Sequence, residues 1–313
     1  MGQHHESHTL MKVSGFTLIR NGIDFDYPYL ESLASLLPLV DELVINIGIG
    51  DDKTLETIQT FAKTVPPEKT LILFESNWRL DNPEKKQAGL ILSEQTNLAL
   101  ARCTSDWCVY LQADEVIHEQ DVPKIRAAIE KNHPQIDGLV FDYHHFYGSY
   151  NVVQESRSTY RREVRAIRKS STARSIGDAQ SFRKQNGEKL KVISSGGHIY
   201  HYGWVRTPEA MKEKTYFLDQ LYHGAPTEQN ALSRTPHTGD NYRYKRIWGL
   251  KPFQGSHPQI MQTRIKSQGW TWDLKASPFI FSWRDLKRVL LDLIERLTGY
   301  RLFEYKSYRK VKP

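Results

Sequence analysis

Cysteine is almost missing from this chain: Cys103 and Cys108 are the only two among 313 residues. They flank a run with strand character, where side chains five apart tend toward opposite faces, so neither a disulfide framework nor a cysteine metal site is expected. Long apolar runs are missing too. None approaches the roughly 18 residues that cross a bilayer, and the amino terminus, Met1 to His8, is polar and histidine-rich, unlike the apolar core of a secretory leader. A cytoplasmic protein is the expectation. There is no zinc spacing, arginine-rich repeat or nucleic-acid motif, so no nucleic-acid partner is expected despite the basic balance. No internal repeat is present. The first strand leads into Asn21-Gly22-Ile23-Asp24 rather than a Gly-x-Gly-x-x-Gly turn, which argues against a dinucleotide-dependent oxidoreductase.

What is present is an ordinary globular composition, 39% hydrophobic and 25% charged, long enough for one large domain or two modest ones. The net charge of +7 hides a polarity. Up to residue 145 there are 12 Lys and Arg against 22 Asp and Glu, net −10; from 146 onward there are 31 against 14, net +17. A basic half of this kind suits a phosphate-bearing substrate or an anionic membrane surface.

Periodicity predicts alternating strands and helices: strands over 14–20, 41–49 and 69–74, helices over 29–37, 54–64 and 87–101, then a strand at 109–112 and a helix at 122–131. Such alternation predicts an α/β fold with a mainly parallel sheet. Strand-like segments at 138–150, 160–169, 189–194 and 198–202 predict antiparallel additions. A helix over 208–223, a loop-like stretch to about 282, a helix over 283–297 and a basic tail complete the chain. The last helix carries Trp283, Leu286, Val289, Leu290, Leu293, Ile294 and Leu297 on one stripe, opposed by Arg284, Lys287, Arg288 and Arg296. That stripe is expected to pack on the rest of the protein, with peripheral contact to an anionic membrane as its other use.

Two predicted strands end in carboxylates: Asp51-Asp52 follows the second, and Asp114-Glu115 follows Trp107-Cys108-Val109-Tyr110-Leu111-Gln112-Ala113. Ligands of open α/β sheets collect at such ends. Asp114 can shape a turn before the helix at Val122, or it can hold a divalent cation against a diphosphate while the earlier pair accepts hydrogen bonds from a nucleoside.

These segments resemble the family 2 glycosyltransferases, which have the nucleotide-sugar-binding GT-A fold. The resemblance covers roughly residues 13 to 205. It rests on Gly15-Phe16-Thr17-Leu18-Ile19-Arg20-Asn21, Val40-Asp41-Glu42-Leu43-Val44-Ile45-Asn46, Gly50-Asp51-Asp52-Lys53-Thr54 and Trp107 to Glu115, in register over a hundred residues. It implies a transferase domain over 12–205 and a basic, partly helical extension over 206–313 packing on it. It also implies a nucleotide-sugar donor bound by Asn21, Asp51, Asp52, Gln112 and Asp114, and a glycan or lipid-linked acceptor of a cell-surface polysaccharide or lipopolysaccharide pathway. Asp114 matches the last residue of the family's Asp-x-Asp motif and is the implied ligand of a divalent cation (Mn or Mg). Gln112 stands where the first Asp is expected; it can bond a ribose hydroxyl but brings no charge. His201, followed by Tyr202, looks like the family's histidine near metal and diphosphate, or is a histidine bonded within a sheet. The implied carboxylate base of an inverting transfer is Asp178, with Glu163 the other candidate. Arg161, Arg162, Arg165 and Arg168 either form a solvated basic face or capture phosphate. A non-catalytic nucleotide-sugar or glycan-binding module of the same fold is the alternative reading.

Overall fold

The computed structural model describes residues 11–80, 88–131, 133–157, 159–223, 244, 249–270 and 283–312. The polar terminus to His8 and most of the loop-like stretch before the last helix lie outside the described residues.

The first half alternates as its pattern predicts: β1 (Val13–Ile19), α1 (Tyr29–Leu36), β2 (Glu42–Gly48), α2 (Thr54–Ala62), β3 (Thr70–Ser76), α3 (Leu90–Arg102) and β4 (Trp107–Tyr110). Every residue of β1, β2 and β4 is buried, which is why they read as apolar runs instead of alternating: helices cover both faces. Val13 and Ile19 of β1 pack with Leu33 and Leu36 of α1 and Ile58 of α2. Phe16 and Leu18, on the other face, pack with Ile91 and Ala99 of α3. All neighbouring pairs in the order β4-β1-β2-β3 are parallel. The chain therefore builds outward from β1 through β3, then returns to β1's other side. Reversing direction sends α3 to the opposite face from α1 and opens a crevice between the carboxyl ends of β1 and β4.

The second half runs through β5 (Glu115–Ile117), α4 (Val122–Glu130), β6 (Gly138–Tyr147), β7 (Val152–Gln154), β8 (Arg162–Arg168), β9 (Ala173–Ile176), β10 (Ser181–Lys184), β11 (Lys191–Trp204) and α5 (Pro208–His223); its strands extend the sheet except β9 and β10, which pair antiparallel as a separate two-stranded sheet. Short β12 (Leu250–Pro252), α6 (Gln262–Lys266), α7 (Trp283–Thr298) and β13 (Arg309–Lys310) follow. β8 pairs antiparallel with β4 and with β6. The strands expected at 189–194 and 198–202 are one strand, β11. Gly196 (φ +73°) and Gly197, which lies where a Cβ would meet Ile125 at 2.8 Å, carry an irregularity in its pairing with β6; a glycine pair that reads as a break is a bulge here.

β11 also pairs antiparallel with β5, setting His201 opposite Glu115, and the Tyr202 amide donates to the Asp114 carbonyl at 2.8 Å. Backbone pairing thus brings residues nearly ninety positions apart to one spot.

Most of the apolar stripe of α7 faces outward instead of packing on the protein, with Val289 and Ile294 half-buried. Leu286, Leu290, Leu293 and Leu297 are exposed, while Asp292 and Glu295, on the other face, pair with Arg157, and Glu295 also with Arg161 and Arg301. The buried Arg157 guanidinium needs anionic partners, and the acidic face of α7 supplies them. Among the described residues no helix is long and apolar enough to cross a membrane.

Candidate active site

The crevice between β1 and β4 is a cavity. Leu18, Ile19 and Arg20 line it from the end of β1; Tyr110, Gln112 and Asp114 from the end of β4; Asp178 from the β9–β10 turn; His201 from β11; and Lys214, Phe217 and Tyr222 from α5. Gln112, Asp114, Asp178 and His201, four of the residues singled out in the sequence, therefore meet. Asn21, Asp51 and Asp52 do not line the cavity.

Asp114 is the electrostatic centre. Lys214 Nζ donates to its Oδ2 at 3.0 Å and to the Gly203 carbonyl at 2.8 Å. Arg206, fully buried, brings NH2 to 3.9 Å from the same oxygen. Its Nε donates to the Phe25 carbonyl, but NH2 has no hydrogen-bond partner among the described residues. Burial alone would raise the Asp114 carboxyl; its cationic neighbours, Lys214 foremost, hold it well below the usual carboxylate range. Burial, then Arg206, lowers Lys214 to about 8. Two cations share the one Asp114 carboxylate, Lys214 on the cavity wall and Arg206 buried outside its lining, so Lys214 is the cation of this cluster that a phosphate-bearing ligand could meet. Gly203 makes this closeness possible: a Cβ there would stand 2.5 Å from the His201 ring and 2.9 Å from Asp114 Oδ2.

A chain of hydrogen bonds sets the proton on His201. The Tyr160 carbonyl can only accept, and His145 Nε2 lies 2.7 Å from it, so that nitrogen carries the proton. Burial, then His201, lowers His145 to about 3, so it is neutral and its Nδ1 is an acceptor. His201 Nδ1, 3.1 Å away, must therefore donate to it. Burial lowers His201 to about 4 even beside Asp114, so it too is neutral. Its Nε2 then presents a lone pair to Asp114 Oδ1 at 3.7 Å, with no proton between them. A neutral histidine anchored through its other nitrogen and facing a carboxylate is a suitable donor pair for a divalent cation. The described residues hold no group of three or more His, Cys, Asp and Glu that could bind a metal, so these two residues fit a cation that takes its remaining ligands from phosphate oxygens and water, as Mg2+ usually does.

Asp178 lies on the cavity wall, where its carboxylate accepts from Tyr222 OH at 2.8 Å and from the Gln180 amide at 3.3 Å. Glu163 does not reach it: buried, it accepts from Gln180 Nε2 and Ser307 Oγ. None of the four arginines lines the cavity, and Arg161 and Arg162 keep substantial exposure. Arg165 is fully buried against Glu115, donating to Oε1 at 2.7 Å and Oε2 at 2.8 Å; Arg161 pairs with Glu304, Arg162 with Asp142, and Arg168 donates to the carbonyls of His133 and Ile136. Each is occupied by a carboxylate or carbonyl that folding brings from a distant segment.

The early acidic loop sits beside the cavity. Asp52 accepts from the amides of Ile23, Asp24 and Thr54, so its carboxylate holds the loops after β1 and β2 together. Asn21, buried and at positive φ, accepts from the Asp51 amide at 3.2 Å. Asp51 is exposed and stands 3.8 Å from Arg20, the cavity residue at the end of β1.

Lys214 and Arg206 escape a reading of the sequence, as does Trp78 on the cavity wall. One signal was available for the first: Met211, Lys214 and Leu221 are the buried residues of α5, so Lys214 is a charge inside an apolar stripe. Charges are rarely placed there unless paired.

No protein-family model matches the sequence, and no curated protein matches it. Among solved structures, Staphylococcus aureus TarS is 15% identical with a TM-score of 0.38, covering 73% of this chain and 44% of that one. TarS 1–349 in complex with UDP-GlcNAc is 14% identical with a TM-score of 0.39, covering 72% of each chain. The mannosyltransferase PcManGT from Pyrobaculum calidifontis, in complex with GDP-Man and Mn2+, is 17% identical with a TM-score of 0.30, covering 42% of this chain and 35% of that one.

Proposed function

We propose that this chain is an inverting glycosyltransferase that moves a sugar from a nucleotide donor to a hydroxyl of a glycan or lipid-linked acceptor. The observation that carries the reading is the convergence in one cavity, at the switch point of the sheet, of the Asp114–Lys214 pair and a separate carboxylate, Asp178. In this reading Lys214 meets the diphosphate with Arg206 buried beside Asp114, Gln112 bonds a ribose hydroxyl, and Arg20 with Asp51 forms the rim on the nucleoside side. Asn21 and Asp52 shape the loops that carry that rim. A divalent cation between Asp114 and His201 would offset the negative charge of the departing diphosphate.

Asp178 takes the proton of the acceptor hydroxyl as its oxygen bonds to the anomeric carbon and the bond from that carbon to the donor phosphate breaks. Tyr222 OH orients that carboxylate. Residues 12–205 form the transferase unit, and the extension after 206 completes it, since α5 contributes Lys214, Phe217 and Tyr222 to the cavity wall.

Calorimetric titration and turnover assays with a panel of nucleotide sugars, in the presence of manganese, test the reading. Asp178→Asn is expected to lower turnover roughly a hundredfold or more while leaving donor affinity unchanged. Donor binding by the wild type without turnover on any acceptor would assign the chain to the binding-module class instead, and absence of donor binding would sink both.

A further inference from the structure

The orientation of α7 is the reverse of an ordinary surface helix. Asp292 and Glu295 face inward and Leu286, Leu290, Leu293 and Leu297 face out: Leu290 is 56% and Leu297 77% exposed, and the following turn presents Phe303 at 87%. At 100° per residue Leu286, Leu290, Leu293 and Leu297 form one stripe, with Lys287 on one flank and Arg296 on the other, both exposed. From residue 286 to the end there are eight Lys and Arg and three acidic residues, net +5. All three acids, Asp292, Glu295 and Glu304, form ion pairs with arginines of the body or the following turn. The outward face is left apolar at its centre and cationic at its margins.

We propose that this face of α7, with Tyr300 and Phe303, docks onto an anionic lipid surface. Apolar insertion and attraction of flanking cations to negative headgroups act together in such binding. A second copy of the chain is the poorer occupant, because a two-fold contact through this face brings the cationic margins of the two copies together. The contact also has a route to the site. Arg157 and Arg161, which hold α7, border Tyr160, a cavity residue; on the reading above, a lipid-linked acceptor would then arrive on the surface that α7 binds.

Sedimentation of the full chain with phosphatidylcholine vesicles, with and without phosphatidylglycerol, tests the docking independently of any turnover. The wild type is expected to pellet with the anionic vesicles and much less with the neutral ones. Leu290→Glu with Leu293→Glu is expected to lower the partition at least about tenfold with an unchanged circular dichroism spectrum. A second pair, Leu297→Glu with Phe303→Glu, is expected to do the same and serves should the first pair disturb folding. No sedimentation of the wild type with phosphatidylglycerol, or sedimentation indifferent to both pairs, overturns the proposal. So does a concentration-dependent dimer in lipid-free buffer that both pairs abolish.

Discussion

Asp114 and Glu115 are adjacent, both buried, and each faces a buried cation, yet the two clusters around them differ. Glu115 is closed on every side: Oε1 accepts from Arg165 NH2 and Tyr143 OH, and Oε2 from Arg165 Nε and the Gln112 amide. Arg165 spends its remaining nitrogen on the carbonyls of Gln180 and Val164. Burial alone would lower that guanidinium's pKa, but Glu115 raises it well above the ordinary value. The Asp114 cluster is open. Arg206 NH2 lacks a hydrogen-bond partner among the described residues, and His201 Nε2 offers a lone pair across a gap. A satisfied buried pair specifies the fold; an incompletely satisfied one beside a cavity marks a place for a ligand.

Stability measurements should divide the two most sharply. Glu115→Gln leaves Arg165 charged and fully enclosed, at an expected cost of about 3–5 kcal/mol in urea unfolding. Asp114→Asn should cost less, because Lys214 borders the cavity and can release its proton, and Arg206 makes no direct hydrogen bond to Asp114 and keeps its bonds to the carbonyls of Phe25, Tyr202 and Gly203. Equal losses would erase the distinction.

The histidine chain supplies the next largest effect. Unfolded histidines titrate near 6.5, whereas His145 and His201 are lowered to about 3 and about 4 in the folded chain. Between pH 6.5 and pH 4 the unfolded state binds protons that the native state refuses. Their contribution is neutral above 6.5, and stability is lost as pH falls through that window, by up to about 1.4 kcal/mol per pH unit for each histidine. His145→Gln should flatten the slope of melting temperature against pH in that interval; a slope identical to the wild type's would refute the assigned protonation.

Lys214→Met provides the smallest and most local test. Removing one of two cations is expected to weaken binding of a nucleoside diphosphate about tenfold, near 1.4 kcal/mol, in calorimetric titration. Unchanged affinity would show that the open cluster does not meet the ligand's charge.

The alternation from β1 to β4 is legible because burial on both faces leaves β1, β2 and β4 as short continuous apolar runs between amphipathic helices. Asp114 is legible for the same reason, as a carboxylate ending such a run. Its difference from Glu115 is not, since both are acidic and one position apart; which of them meets Arg165 depends on β8 and β6, fifty and thirty residues downstream. Lys214, a hundred positions from Asp114, leaves only the weak trace of a charge in an apolar helix stripe. Periodicity shows that α7 has an apolar face but not which way it turns, and Arg157, Arg161 and Arg301 decide that by drawing in the acidic side.

The sequence by itself thus determined the elements, the parallel order's starting alternation and the strand end where the site lies, because period and composition are set by neighbours along the chain. Tertiary structure alone decided which charges are closed into the core, which proton His201 keeps and which face of α7 meets solvent. Those outcomes depend on desolvation and on partners delivered from distant segments.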